Sequence, residues 1–163
     1  MTKLEPPCPI NQNHQLDSFS CGVPSLDAWL KTKARRNERT RASRTYALCN
    51  DNDQVIGYYA LATGSISPNQ ATRSIKRNMP NPIPIMVLGR LAIDQNYQRQ
   101  GLGDALLRDA ILRILQAAKI AGIKAIVVHA ISEQAKAFYL ARSFTESPAN
   151  PITMILPLES IQI

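Results

Sequence analysis

Apolar and polar residues alternate along this chain in patterns that predict most of its elements. Residues 24–38 (PSLDAWLKTKARRNE) predict a helix, with Pro24 at the first position and Leu26, Trp29, Leu30 and Ala34 along one stripe. Residues 44–49 (RTYALC) predict a strand, and residues 54–66 a second. The turn Asn50–Asp51–Asn52–Asp53 between them predicts a hairpin. Residues 67–84 are polar, basic and proline-punctuated, with room for a short helix. Residues 85–94 (IMVLGRLAID) are the clearest strand, and Gly89 inside it suggests a bulge or a close backbone approach. A long helix follows residues 95–103 and runs to about Ala121. Its buried face is Leu106, Leu107, Ala110, Ile111, Ile114, Leu115 and Ala118, and Gly122 is its stop signal. Residues 124–130 (KAIVVHA) are a strand buried on both faces, and Ser132 caps a helix over 133–142. Residues 144–146 and 153–157 complete the sheet. The order specifies an α/β or α+β domain around a strand–loop–helix–strand unit.

Composition narrows this picture. With 163 residues and 45% hydrophobic content, one ordinary core is feasible. A chain of that size buries about 70% of its unfolded surface. Six of the eleven prolines fall in Glu5–Ile10 and Met79–Ile85, which read as extended connectors. No window is apolar enough to span a bilayer and the start lacks a secretion signal, so a cytoplasmic protein away from the membrane is expected. Cys8, Cys21 and Cys49 show no metal-ligand spacing, so no metal site is expected and reduced, structural thiols are. His14 carries no signal. The net charge of +7 belongs to the middle third: Lys31, Lys33, Arg35, Arg36, Arg39, Arg41 and Arg44 have only Glu38 among them, and Arg73, Lys76, Arg77 and Arg90 follow. Such asymmetry reads either as a solvated helix face or as a polyanion surface.

The chemistry lies in the loop between the clearest strand and the long helix. Gly101 and Gly103 let the backbone approach a ligand, and the first N–H groups of the helix sit at the positive end of its dipole. That arrangement binds phosphate or pyrophosphate. The triphosphatase loop and the dinucleotide fingerprint are both absent by spacing. What remains is Gln98-x-x-Gly101-x-Gly103.

With its strand, its helix, the next strand KAIVVHA and the helix carrying Phe138–Tyr139, this loop resembles the GNAT N-acetyltransferase superfamily over residues 85–157. The resemblance implies a single domain over 1–163, with a basic helix and flank at 24–44 and an acetyl-CoA-binding core at 85–146. It also implies a mixed central sheet, flanked by helices and splayed at the strand before the loop. The implied coenzyme contacts are Leu91, Ala92, Ile93, Gln98, Arg99, Gln100, Gly101, Leu102, Gly103 and Asp104, with Ser132 and Phe138 beside them. Arg99 stands where the family often has Gly, and Ser132 where many relatives have Asn. From spacing alone Tyr139 reads as a core tyrosine. The resemblance instead implies a general acid that protonates the departing thiolate.

Further segments resemble the acetyltransferase toxins of bacterial toxin–antitoxin pairs: FSCG at Phe19–Gly22, LDAWL at Leu26–Leu30, GYY at Gly57–Tyr59, LGRLAID at Leu88–Asp94 and AKAFY at Ala135–Tyr139. This implies acetyl-CoA as co-substrate, aminoacyl-tRNA as acceptor, block of translation, a ribbon-helix-helix antitoxin and a homodimer. The tRNA surface would then be Lys31, Lys33, Arg35, Arg36, Arg39, Arg73, Lys76 and Arg77. Arg90 either meets the acceptor end of the tRNA or pairs with a carboxylate. No side chain is singled out as general base. An α-amino group titrates near about 7.7–8.0, far below lysine, and can lose its proton to water. His129 is the reserve base, though its apolar strand favours a hydrogen-bonded core role. An acetyltransferase of protein termini or small amines, and a non-catalytic nucleic-acid-binding module, are the competing functions.

Overall fold

Leu26, Trp29 and Leu30 recur at helical spacing, and in the computed structural model, which describes residues 4–161, they are buried against Phe19, Tyr58 and Ala92. The expected first helix is two: α1 (Pro24–Thr32) and α2 (Ala34–Thr40), broken at Lys33, whose φ of −122° leaves the helical region. A two-residue strand, β1 (Cys8–Pro9), pairs antiparallel with β2 (Arg44–Cys49). This β1 falls in the proline-rich stretch expected to be a connector. The hairpin of β2 and β3 (Val55–Ile66) forms as expected, closed by Asn50, whose Oδ1 accepts from the amides of Asn52 and Gln54. The polar excursion contains the short helix α3 (Arg73–Lys76). Then follow β4 (Ile83–Ile93), α4 (Leu102–Ala117), β5 (Ala125–His129), α5 (Glu133–Leu140), β6 (Thr145–Glu146) and β7 (Thr153–Pro157). The strands form one mixed sheet in the order β1-β2-β3-β4-β5-β7-β6, with β4 and β5 parallel.

Two compact units divide the chain, the first Met1–Ala62 with Gly89–Arg113, the second Thr63–Leu88 with Ile114–Ile163. The core of the first is Phe19, Leu26, Trp29, Leu30, Ala34, Val55 and Tyr58. That of the second is Ile66, Ile75, Ile83, Ile85, Ala125, Val127 and Ile155.

Two glycine expectations change. Helix α4 ends at Ala117, and Gly122 lies beyond it without the positive φ of a cap. At Gly89 a Cβ would meet only the Ala60 carbonyl, at an ordinary 3.9 Å. The close approach is at Gly57, where a Cβ would fall 2.8 Å from Ile93 Cδ1 and 3.2 Å from Leu106 Cδ1. Gly57 therefore lets β3 pass under the end of β4 and the start of α4. On α4, Leu106, Leu107, Ala110 and Ile114 are buried as expected, whereas Ile111 and Leu115, and Ala118 just past its end, are half-buried.

Candidate functional site: a braced anion loop and a caged tyrosine

In the first unit the loop after β4 is fixed by polar contacts from a distant segment. Asp94 is 7% exposed, and each of its carboxylate oxygens accepts a backbone hydrogen bond. Its Oδ1 accepts from the Asn96 amide at 2.9 Å, and its Oδ2 from the Ser20 amide at 3.0 Å. The Gln95 amide donates back to the Ser20 carbonyl at 2.8 Å. Gln98 Nε2 donates to the carbonyls of Ile93, at 2.8 Å, and Cys21, at 3.0 Å. The Cys21 amide in turn donates to Asp27 Oδ1 at 2.9 Å. Burial pushes the Cys21 thiol up to about 11, so it stays protonated. Gly22, at φ +95°, completes the segment. Residues 19–22 are thus the brace of the loop, a role the FSCG pattern alone does not reveal.

Beyond Gln98 the loop is exposed and its backbone is unusual. Arg99 has φ +65° and Gly101 has φ +81°. Only glycine adopts the left-handed region freely, so the arginine at this position carries a backbone cost that a glycine would not. A Cβ on Gly101 would meet nothing within 4 Å, so that glycine serves the turn and leaves open space above it. The first intrahelical bond runs from the Ala105 amide to the Gly101 carbonyl, 3.1 Å. The amides of Leu102 and Gly103 precede it, at the positive end of the helix. Their orientation suits a pyrophosphate. Asp104 can serve an anion only through its N–H, because its carboxylate bears the same charge. Ala92 and Ile93 have buried side chains, so only their backbones can meet a ligand, and the Ile93 carbonyl is already held by Gln98.

A second device fixes α4. Tyr59 Oη donates to Asp109 Oδ2 at 2.5 Å, and Arg113 Nε bonds the same oxygen at 3.0 Å. The Arg113 guanidinium lies 4.1 Å above the Tyr46 ring and donates to the Pro7 carbonyl at 2.9 Å. Burial and the Asp109 carboxylate push the Tyr59 phenol far above its ordinary range, so it remains a donor. The four-residue spacing of Asp109 and Arg113 was the signal in the sequence for this pair.

In the second unit, Tyr139 is held by rings. It is 8% exposed and packs edge-on against Phe138 and Phe144, each with centroids 5.2 Å away. Its hydroxyl makes no hydrogen bond among the described residues. Burial pushes this phenol up to about 12, so it keeps its proton at neutral pH. Phe138 is half-buried, with the Arg142 guanidinium 3.8 Å over its ring. Ser132 Oγ accepts from the Ala135 amide at 3.0 Å and caps α5 as expected. His129 does not take the expected core position. It is exposed at the end of β5, because the outermost residue of the strand escapes the cover that buries Ala125–Val128, and it bonds Thr153 Oγ1 at 3.0 Å.

The bases separate by environment. Lys31, Lys33, Arg36 and Arg39 of the first unit are exposed, as are Arg73, Lys76 and Arg77 of the second. Arg35 is turned inward and donates to the carbonyls of Asn11 and His14. Among the described residues Arg90 pairs with no carboxylate, and it lies over Trp29, with 4.4 Å from its guanidinium carbon to the ring centroid.

Residues 42–146 match the acetyltransferase (GNAT) domain. The chain is 43% identical over 156 residues to a tRNA-acetylating toxin of Mycobacterium tuberculosis (strain ATCC 25618 / H37Rv), covering 96% of this chain and 93% of that protein. A solved structure of AtaT complexed with acetyl-methionyl-tRNAfMet superposes with a TM-score of 0.88 at 30% identity, over 98% of this chain and 96% of that one. A tyrosine-to-phenylalanine mutant of AtaT, bound to acetyl-CoA and to the C-terminus of the antitoxin AtaR, superposes with a TM-score of 0.81 at 29% identity, over 98% and 94%.

Proposed function

The chain belongs to the GNAT acetyltransferase family, and from that membership we propose that it is a toxin that acetylates the α-amino group of aminoacyl-tRNA and so blocks translation. The observation that carries the reading is the 43% identity, spread over 96% of the chain, to a tRNA-acetylating toxin. The braced loop fits the coenzyme: an exposed turn with open space above Gly101, leading into the N-terminus of a long helix, suits a pyrophosphate. Acetyl-CoA supplies a thioester-bound acetyl group, which passes to a neutral amine with release of the coenzyme thiol. The amides over Gln98–Asp104 hold the phosphates, and the backbone of Leu91–Ile93 aligns the pantetheine arm. Gln98 itself acts by positioning, since its carboxamide nitrogen bonds the protein. Tyr139 donates its proton to the leaving sulfur. Phe138 and the Ser132 cap set the helix that carries it. The acceptor amine needs no dedicated base, because an α-amino group near about 7.7–8.0 is partly neutral at pH 7.

The exposed bases Lys31, Lys33, Arg36 and Arg39, and separately Arg73, Lys76 and Arg77, contact tRNA phosphates. A cognate antitoxin of the ribbon-helix-helix type neutralises the protein, as the complex of AtaT with AtaR supports for the antitoxin itself. Residues 1–163 work as one acetyltransferase domain, and the protein is a homodimer. Exposed Ile120, Ile131, Leu140 and Ile152 of the second unit favour association. Its place of action is the cytoplasm, where charged tRNA is found. Among the described residues no helix is long and apolar enough to cross a membrane.

The test is acetyl transfer from labelled acetyl-CoA to aminoacyl-tRNA, to a peptide N-terminus and to a polyamine. Label should accumulate on the aminoacyl-tRNA. Preference for the peptide or the polyamine would overturn the acceptor assignment, and no transfer to any of them would overturn the enzyme.

A further inference from the structure

Four of the sequence patterns converge on one column of the first unit. Phe19 meets Tyr58 edge-on, with centroids 5.6 Å apart. Tyr58 stacks on Trp29 at 5.9 Å with 9° between the planes, and the Arg90 guanidinium carbon lies 4.4 Å from the Trp29 ring centroid. Tyr58 Oη is anchored to the Leu26 carbonyl at 2.7 Å. The column is therefore rigid from its base upward.

We propose that Arg90 is a specificity-determining contact that grips a phosphodiester of the acceptor beside its reactive amine, and that Trp29 is its positioning residue. The inference rests on the reading of the acceptor as aminoacyl-tRNA. The guanidinium is half-buried and satisfied only on its face. Among the described residues its edge makes no hydrogen bond or ion pair, whereas Arg35, Arg44 and Arg113 are each committed to protein oxygens. A planar fork held over an indole, with its donors left over, matches a two-oxygen anion. Its location selects the anion that matters: Arg90 directly precedes Leu91, the start of the segment assigned to the pantetheine arm. A phosphodiester is favoured over a protein carboxylate because Trp29 is followed by Lys31 on α1, Lys33 at the break, and Arg36 and Arg39 on α2, a setting for a polyanion. Those exposed bases give affinity without discrimination. Arg90, fixed on Trp29, discriminates.

The experiment compares kcat/KM on aminoacyl-tRNA with kcat/KM on a phosphate-free aminoacyl-adenosine, across a salt series, in the full chain. Arg90→Gln should lose about 10- to 100-fold on tRNA, as expected for a charge-assisted bond. Its loss on the nucleoside should be at least about tenfold smaller, and its log–log salt slope should fall by about 0.7–0.9. Arg90→Lys should keep the slope but lose part of the preference, since an ammonium is no fork. Trp29→Leu should resemble Arg90→Lys, and Trp29→Phe should restore the preference. Trp29 is the sole tryptophan, so its emission should shift on adding deacylated tRNA to the wild type and not to Arg90→Gln. Equal losses on both acceptors, or no loss on tRNA, would overturn the proposal. So would an Arg90→Gln variant that loses only antitoxin binding. If the wild type acetylates neither acceptor, the acceptor assignment itself fails, and the emission titration still decides whether Arg90 grips tRNA.

Discussion

The loop that follows β4 and the cage around Tyr139 are built by opposite means. The loop is tied by hydrogen bonds to Ser20 and Cys21, from a segment 74 residues away in sequence at the Asp94–Ser20 bond. Tyr139 has rings on two sides and no hydrogen bond on its hydroxyl among the described residues. The difference fits the roles proposed for the two. An anion site works when backbone amides are fixed in space beforehand, and polar braces fix them at low cost in shape. A general acid works when its proton is uncommitted, and an apolar cage holds the ring without engaging the oxygen.

The largest expected effect breaks the caged side. Tyr139→Phe keeps the ring contacts and removes only the proton donor. Turnover should fall by about 10²- to 10⁴-fold, the usual scale of acid–base catalysis. Acetyl-CoA affinity, measured by calorimetry, should move by less than about threefold because the loop is untouched. A variant with near-normal turnover removes Tyr139 from the reaction. The pH profile sharpens the same point. Burial raises this phenol to about 12, so its acid form persists across the working range. The rate on an α-amino acceptor should therefore rise through about pH 7.7–8.0 and stay level to about pH 10. Loss of rate between pH 8 and 9.5, in a protein still folded by circular dichroism, would contradict it. The sign for stability agrees: a pKa raised on folding contributes fully below the unfolded value near about 10, and is lost as pH climbs from there through about 12.

The next effect breaks the braced side. Asp94→Ala leaves the Ser20 and Asn96 amides without their acceptor. Each charge-assisted bond is worth about 1.5–3 kcal/mol, so urea unfolding should show a loss of about 2–4 kcal/mol after partial relaxation. The KM for acetyl-CoA should rise at least about tenfold while the turnover at saturation falls much less. If turnover falls and the KM does not, the brace serves the chemistry rather than the coenzyme, and the contrast between the two regions fails.

Legibility divides along the same line. The β2–β3 hairpin, β4, α4 and β5 follow from periodicity, because burial of one face imposes it. Loop and Tyr139 follow from motif order. The brace is not legible: Ser20 and Cys21 contribute backbone groups, which every residue has, and the pairing is set by tertiary approach. The break at Lys33 escapes for a related reason, since Lys and Arg continue a helix as well as they end one. Strand β1 escapes because two residues carry no period, and prolines argue against a ladder. At Gly57 and Gly89 the same residue type sits in adjacent strands, and only packing tells which one meets Ile93.

The smallest effect tests whether the braced loop tolerates its one departure from glycine. Arg99 holds φ +65°, a conformation that costs a non-glycine residue about 1–2 kcal/mol. Glycine there escapes that cost but has about 0.5–1 kcal/mol more unfolded-state entropy to lose. Arg99→Gly should therefore stabilise the protein by about 0.5 kcal/mol in urea unfolding. The same change removes an exposed cation beside the proposed pyrophosphate, a contact worth about 0.2–1 kcal/mol at low salt. Acetyl-CoA should then bind about two- to fivefold more weakly, and the deficit should vanish as salt is raised. Opposite signs for stability and affinity mean that the arginine is kept for the coenzyme at the expense of the turn. A rise in both would mean that Arg99 contributes nothing to the anion, and that the loop works through its backbone alone.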